Sequence, residues 1–216
     1  MKKTKKILAV ACAMALSAAI AVGGTLAYLT STTDTVTNTF TVGKVTITLD
    51  EAPVDDDGDA TDGDRVTANT YKLYPGKSYD KDPTVHVDSD SEACWLFVKV
   101  VNGLVKTVEG EEINIEAAQS DDYDTIAAQM ADNGWTALAG EENVYWHAVV
   151  DPAAENPVLD VKVFENFEIA GAVDNTTLAD FEDATIVVTA YAVQEEGFSS
   201  AAAAWEAAPS GWTTAS

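Results

Sequence analysis

The sequence predicts a mainly β protein, an antiparallel β-sandwich of jelly-roll type carrying one or two short helices. Three observations point there. Segments of alternating apolar and polar residues, rich in Val, Ile and Thr, recur along the chain. Gly, Pro and Asp clusters separate them at the spacing of turns. No strand–helix–strand rhythm of the parallel-sheet folds is present, and only two stretches have helical spacing.

Taken in order, Val36, Asn38, Phe40 and Val42 alternate with Thr35, Thr37, Thr39 and Thr41, and after Gly43 the pattern resumes with Val45, Ile47 and Leu49. Period two with β-branched residues is the signature of a half-buried strand. The acidic, glycine-punctuated run Asp55 to Asp64 is a loop. Arg65 to Leu73 reads as a second strand, stopped by Tyr74-Pro75-Gly76. Thr84 to Val87, Cys94 to Val101, Val144 to Val150, Leu159 to Ile169 and Thr185 to Val193 follow as strands. Cys94 to Val101 and Thr185 to Val193 are nearly continuous apolar runs, which places them centrally with both faces covered. Asp122 to Asn133 reads as a helix, with Ile126 and Met130 four apart, acids in its first turn and Gly134 just past its end. Ser199 to Ala208 is the second helix, with Ala201, Ala204, Trp205 and Ala208 on one face and Pro209 ending it. No tandem repeat is evident, and Glu109 to Val158 carries no recognisable motif.

The domain organisation expected is a signal peptide over residues 1–27, one sandwich domain over 28–208 and a flexible tail over 209–216. Lys2 to Lys6 form a basic start, Ile7 to Val22 an unbroken apolar run, and Gly23-Gly24 breaks it. Thr25 and Ala27 then place small residues at −3 and −1 of a cut that leaves Tyr28 as the new N-terminus. The competing reading is an uncleaved anchor, because Ile7 to Ala27 has about the ~20 residues that cross a bilayer. The glycine pair and the Thr-Leu-Ala site favour cleavage. Cys12 is no lipidation site, since Ala9 stands where a lipobox has Leu. Cleavage leaves Cys94 as the sole cysteine, so no intramolecular disulfide can form, and its apolar neighbours predict a small core residue.

The stretch GGTLAYLTSTTDTVTNTFTVGKVTITLDE, Gly23 to Glu51, resembles the secreted Gram-positive proteins of the TasA and camelysin type, whose signal peptides are cut by a SipW-type signal peptidase. The matching positions are Gly23, Gly24, Thr25, Ala27, Tyr28, Asn38, Phe40, Gly43, Val45 and Ile47. Tyr74 to Val87 and Thr189 to Phe198 are also similar to clostridial members. The resemblance implies a β-sandwich exported to the cell surface or biofilm matrix, where some relatives assemble into fibres. Camelysin relatives are described as metallopeptidases, but no His-Glu-x-x-His is present here, so that activity is not carried over.

Charge narrows the function classes. The chain has 12 Lys and Arg against 36 Asp and Glu, a formal net charge of −24, and loss of residues 1–27 leaves 8 basic against 36 acidic residues, −28. Such a surface repels phosphate backbones and anionic headgroups, which argues against nucleic-acid and membrane-surface partners. Contact with a membrane is expected only through an uncleaved signal peptide. The sequence shows no terminal sorting motif, so retention at the cell would rest on assembly or on a partner.

Candidate chemistry is sparse. His86, Asp88 and Asp90 would share one face if their strand continued, a donor set suited to Zn²⁺ or Mn²⁺. The Asp88-Ser89-Asp90-Ser91 composition equally describes a turn and a solvated strand end. Asp55, Asp57 and Asp59 resemble a calcium loop, but the EF-hand positions that need Gly and Glu hold Ala60 and Val66. No cofactor is required, with Ca²⁺ as the one cation the acidic loop suggests. No nucleophile elbow, phosphate loop, dinucleotide fingerprint or Cys-x-x-Cys occurs. His147, between Trp146 and Ala148, reads as packing. The expected function is a secreted structural or matrix protein, not an enzyme, polymerising by exchange of its mature N-terminal strand, with Val36, Phe40 and Val42 inserted into a neighbour. A monomeric glycan- or cation-binding surface module is the alternative, and a camelysin-like metallopeptidase the second.

Overall fold

A computed structural model describes residues Lys44 to Pro209. The signal-cleavage residues Thr25, Ala27 and Tyr28, the donor-strand residues Val36, Phe40 and Val42, and the tail beyond Pro209 lie outside the described residues. The described residues fall within one compact unit.

Eleven strands and three short helices follow one another in the described region. They are β1 (Ile47–Asp50), β2 (Ser78–Asp80), β3 (Thr84–Val87), β4 (Cys94–Asn102), β5 (Val105–Val108), β6 (Glu111–Asn114), α1 (Ile126–Asp132), β7 (Thr136–Ala137), β8 (Val144–Val150), β9 (Asp160–Lys162), β10 (Asn166–Glu168), α2 (Asn175–Ala179), β11 (Ile186–Gln194) and α3 (Ala201–Glu206). All pairings are antiparallel. One sheet has the order β11-β4-β8-β7, a second β1-β3-β9, and two-stranded pieces β10-β2 and β5-β6 complete the set.

Alternation along β4 explains the layering. Cys94, Leu96, Val98 and Val100 point into a core shared with Val85, Val87 and Val161 of the facing three-stranded sheet and with Tyr79 and Phe167 of β2 and β10. Phe97 points the other way, into a second cluster with Tyr191, Leu138, Ala201, Ala204 and Trp205, where α3 covers the sheet. Both faces of β4 are therefore buried, as its apolar run predicts. Cys94 is fully buried, and desolvation pushes its thiol up to about 11, so it serves as packing.

Four elements differ from the sequence expectations. β11 has the predicted composition but lies at the edge of its sheet, because a nearly apolar run reports burial of faces and says nothing about which strand pairs on either side. Arg65 to Leu73 forms no ladder strand. Only Val66 bridges, to Glu51, and the rest is held by side chains. Leu159 to Ile169 splits into β9 and β10 in different sheets. The break is fixed by Gln129 of α1, whose Oε1 accepts from the Glu165 and Asn166 N–H groups at 2.8 and 3.1 Å. The first helix begins at Ile126 behind a Thr125 cap, so Asp122 and Asp124 lie before it, and Glu116 accepts the Ile126 N–H at 2.7 Å instead. Gly134 ends that helix with φ +85°, as expected, and His147 packs on Trp135 with ring centroids 5.2 Å apart.

Candidate functional site

The structure places the predicted cation ligands apart. β3 ends at Val87, and Asp88 and Asp90 enter a tight turn in which the Asp88 side chain accepts the Asp90 N–H at 2.9 Å. The row His86–Asp88–Asp90 therefore does not form, because the turn composition outweighs the strand period. Asp55 is turned inward on its own loop, accepting the Asp57 and Asp59 N–H groups at 2.9 and 3.1 Å, while Asp57 reaches Lys77 at 3.5 Å. Gly58 at the loop's bend has φ +79°, and a Cβ there would come within 2.5 Å of the Tyr79 ring, so the loop is docked by a close approach that only glycine permits. Among the described residues no group of three or more His, Cys, Asp or Glu is arranged around a common point for a metal.

His86 has a different setting, which spacing along the chain could not reveal. It lies on the middle strand of the three-stranded sheet, paired across to Asp160 of β9 and beside Asp50 of β1. Its Nδ1 lies 2.7 Å from Asp160 Oδ1 and its Nε2 2.9 Å from Asp50 Oδ1. Asp50 also receives the Arg65 guanidinium, which continues to Asp82 at 3.0 Å and donates to Thr84 at 3.1 Å. Burial works against the imidazolium, but hydrogen bonds to Asp160 and Asp50 outweigh it and raise the His86 pKa. Burial likewise opposes the Asp50 carboxylate, and bonds from Arg65 and His86 hold it below its ordinary value. With both ring nitrogens committed to carboxylates, this ladder staples three strands and the Arg65 segment.

The larger feature is a groove of about 1110 Å³ beside β11. One wall is the first part of β11, Ile186 to Val188, with the preceding Thr185. The segment Thr67 to Leu73 also lines the groove, and Leu49, Leu104 and Phe167 contribute apolar surface. That segment stands without a ladder. The Tyr71 hydroxyl donates to Asp80 O at 2.9 Å, the Tyr79 hydroxyl donates to Lys72 O at 2.7 Å, and Tyr79 accepts the Tyr74 N–H at 2.7 Å. Burial of the Tyr71 ring raises its pKa, so that hydroxyl stays a donor.

β11 is an unusual border for a sheet. It runs nine residues, IVVTAYAVQ, without a charge or proline, and its register against β4 is unbroken from Ile186 to Gln194. Among the described residues no strand pairs with its other side. Val187 is 48% exposed and faces across to Val101, 42% exposed. The other outer strands of the two larger sheets among the described residues are short or charged: β7 has two residues, β1 ends in Asp50, and β9 carries Asp160 and Lys162. Sheets that stay monomeric blunt their edges by shortness, charge, proline or bulges.

Of the tryptophans, Trp135 and Trp205 are buried, while Trp95 and Trp146 are half-buried and meet edge to face at 5.9 Å. The described helices include none long and apolar enough to cross a membrane. Comparison of the chain with protein-family models, with curated proteins and with solved structures returned no match in any of the three.

Proposed function

We propose that this chain is an exported structural subunit that assembles by strand addition, the segment Tyr28 to Val42 of one copy pairing with the β11 edge of the next. The observation that carries this reading is the nine-residue, uncharged border of β11 opening onto the groove. Main-chain hydrogen bonds along that border supply affinity, and the alternation of Val36, Phe40 and Val42 supplies register, because a one-residue slip would turn those side chains outward. Residues Thr35 to Gly43 are also uncharged. A joint between the uncharged stretch Thr35 to Val42 and the uncharged β11 keeps the repulsion between highly acidic copies away from the contact. Joining different surfaces head to tail continues into filaments unless the rotation closes a ring. The basic and apolar start of the chain, with its Thr25–Ala27 site, supports export and a free Tyr28 end. The resemblance of Gly23 to Glu51 to the TasA and camelysin type supports a place in the cell-surface or biofilm matrix, with a SipW-type peptidase as processing partner.

Electron microscopy of the secreted protein beside a form lacking residues 28–42 tests the reading. Filaments in the first and dispersed particles in the second are the expected pair of results. Filaments that persist unchanged after the deletion would refute it.

A further inference from the structure

In the lining of the groove, three side chains stand in a relation that their spacing in sequence does not suggest. Glu51, just past β1, is 4% exposed and holds two partners, one on each carboxylate oxygen. Its Oε2 contacts the Lys81 ammonium, and its Oε1 accepts from Asn69 Nδ2 at 3.0 Å. The Lys81 side chain is itself only 10% exposed. The Asn69 carbonyl oxygen is polarised from the far side, accepting the Val54 N–H at 3.2 Å, while Nδ2 also donates to Ala52 O at 2.8 Å. Tyr71 screens the group, its ring centroid 6.0 Å from Lys81 Nζ.

An amine and a carboxamide bridged by one buried carboxylate are the components of an amide-exchange reaction. We propose that Lys81 and Asn69 join spontaneously in a side-chain amide bond, with Glu51 as the proton-transfer group. Glu51 takes a proton from the Lys81 ammonium, and the free amine adds to Asn69 Cγ. Charge developing on Oδ1 is met by the Val54 N–H, already placed as an oxyanion donor. The Nζ–Cγ bond forms and the Cγ–Nδ2 bond breaks. Of the two protons that Lys81 sheds, one departs on the leaving nitrogen as ammonia and the other remains on Glu51. No oxidant, cofactor or external nucleophile enters, and atoms and charge balance. The reaction replaces a buried ion pair, whose desolvation opposes folding, by neutral hydrogen-bonding groups, and holding both reactants on one carboxylate lowers the entropic barrier of a bimolecular aminolysis.

The bond has a structural consequence where the fold lacks one. Thr67 to Leu73 has no ladder of its own, and a covalent tie from Asn69 to Lys81 would anchor that segment across the hairpin-like turn through β2 in a protein whose Cys94 has no disulfide partner among the described residues.

Peptide mass spectrometry of the full-length secreted protein tests this independently of any assembly. Trypsin cuts after Arg65, Lys72, Lys77 and Lys99 but not after an acylated Lys81. The expected product is Val66–Lys72 joined to Ser78–Lys99, lighter by one ammonia than the two peptides together. Asn69→Asp should form the same product with loss of water instead, whereas Asn69→Ala, Lys81→Arg and Glu51→Gln should give separate peptides. Recovery from the unsubstituted protein of Val66–Lys72 and Ser78–Lys81 as unlinked peptides would overturn the proposal. A bond that still forms in Glu51→Gln would overturn the role given to the carboxylate.

Discussion

Gln129 shows how much one buried polar side chain decides. It is 9% exposed on α1, yet its amide group donates to Asp124 O at 2.6 Å and Asn166 O at 3.1 Å and accepts two backbone N–H groups at the start of β10. Those bonds divert the chain from one sheet to the next between Lys162 and Asn166. Replacing Gln129 by Leu keeps the volume but leaves the Glu165 and Asn166 N–H groups without acceptors, a loss of about 1–3 kcal/mol. Urea unfolding of the variant should show a lower midpoint with an unchanged slope. An unaltered midpoint would mean that solvent satisfies those groups. Nothing in the spacing of Leu159 to Ile169 announces this break, because the pattern reads as one run and the cause sits 36 residues before Glu165 on α1. Cys94, by contrast, was legible: its apolar neighbours alone predict the buried thiol that the structure contains.

At the scale of elements, strands with strong period or strong apolarity are recovered closely. Thr84–Val87 and Val144–Val150 match their predicted bounds, and Cys94–Asn102 and Ile186–Gln194 lie within one residue of theirs. What sequence period cannot carry is pairing. The Arg65 to Leu73 run reads as a strand, yet beyond the Val66 bridge to Glu51 its hydrogen bonds involve side chains, and β5, β6 and β2 are too short and too charged to stand out. The same limit hid the Asp50–His86–Asp160 ladder, since its members come from three strands and only register brings them together. That ladder makes a pH prediction. A raised folded-state pKa means that His86 stabilises the protein fully below its ordinary value near 6.5 and that this contribution fades as pH rises through the folded value. His86→Gln should therefore cost about 1 kcal/mol near pH ~5.5 and close to nothing near pH ~9. Asp50 has the opposite sign, its contribution disappearing only on stronger acidification. Denaturant titrations at the two pH values decide the matter. An equal loss at both would show that the imidazole acts by packing and not by charge.

At the largest scale, the described residues form a mainly β structure whose two larger sheets have unequal edges. Of the four outer strands of the two larger sheets among the described residues, β7, β1 and β9 are short or charged and β11 is long, regular and uncharged. The pattern of the sequence foretold the class of the fold, because recurrent β-branched alternation and the lack of a strand–helix–strand rhythm can be read without knowing which strands pair. It could not foretell which border lacks a pairing strand among the described residues, which depends on the order β11-β4-β8-β7. The account of function rests on that border, and amide hydrogen exchange along β11 reads it directly. In protein lacking residues 28–42, the amides of Ile186 to Gln194 that face away from β4 should exchange quickly. Adding a synthetic peptide of residues Tyr28 to Val42 should slow those amides while leaving the ones bonded to β4 unchanged. Exchange along β11 that does not respond to the peptide would contradict the account.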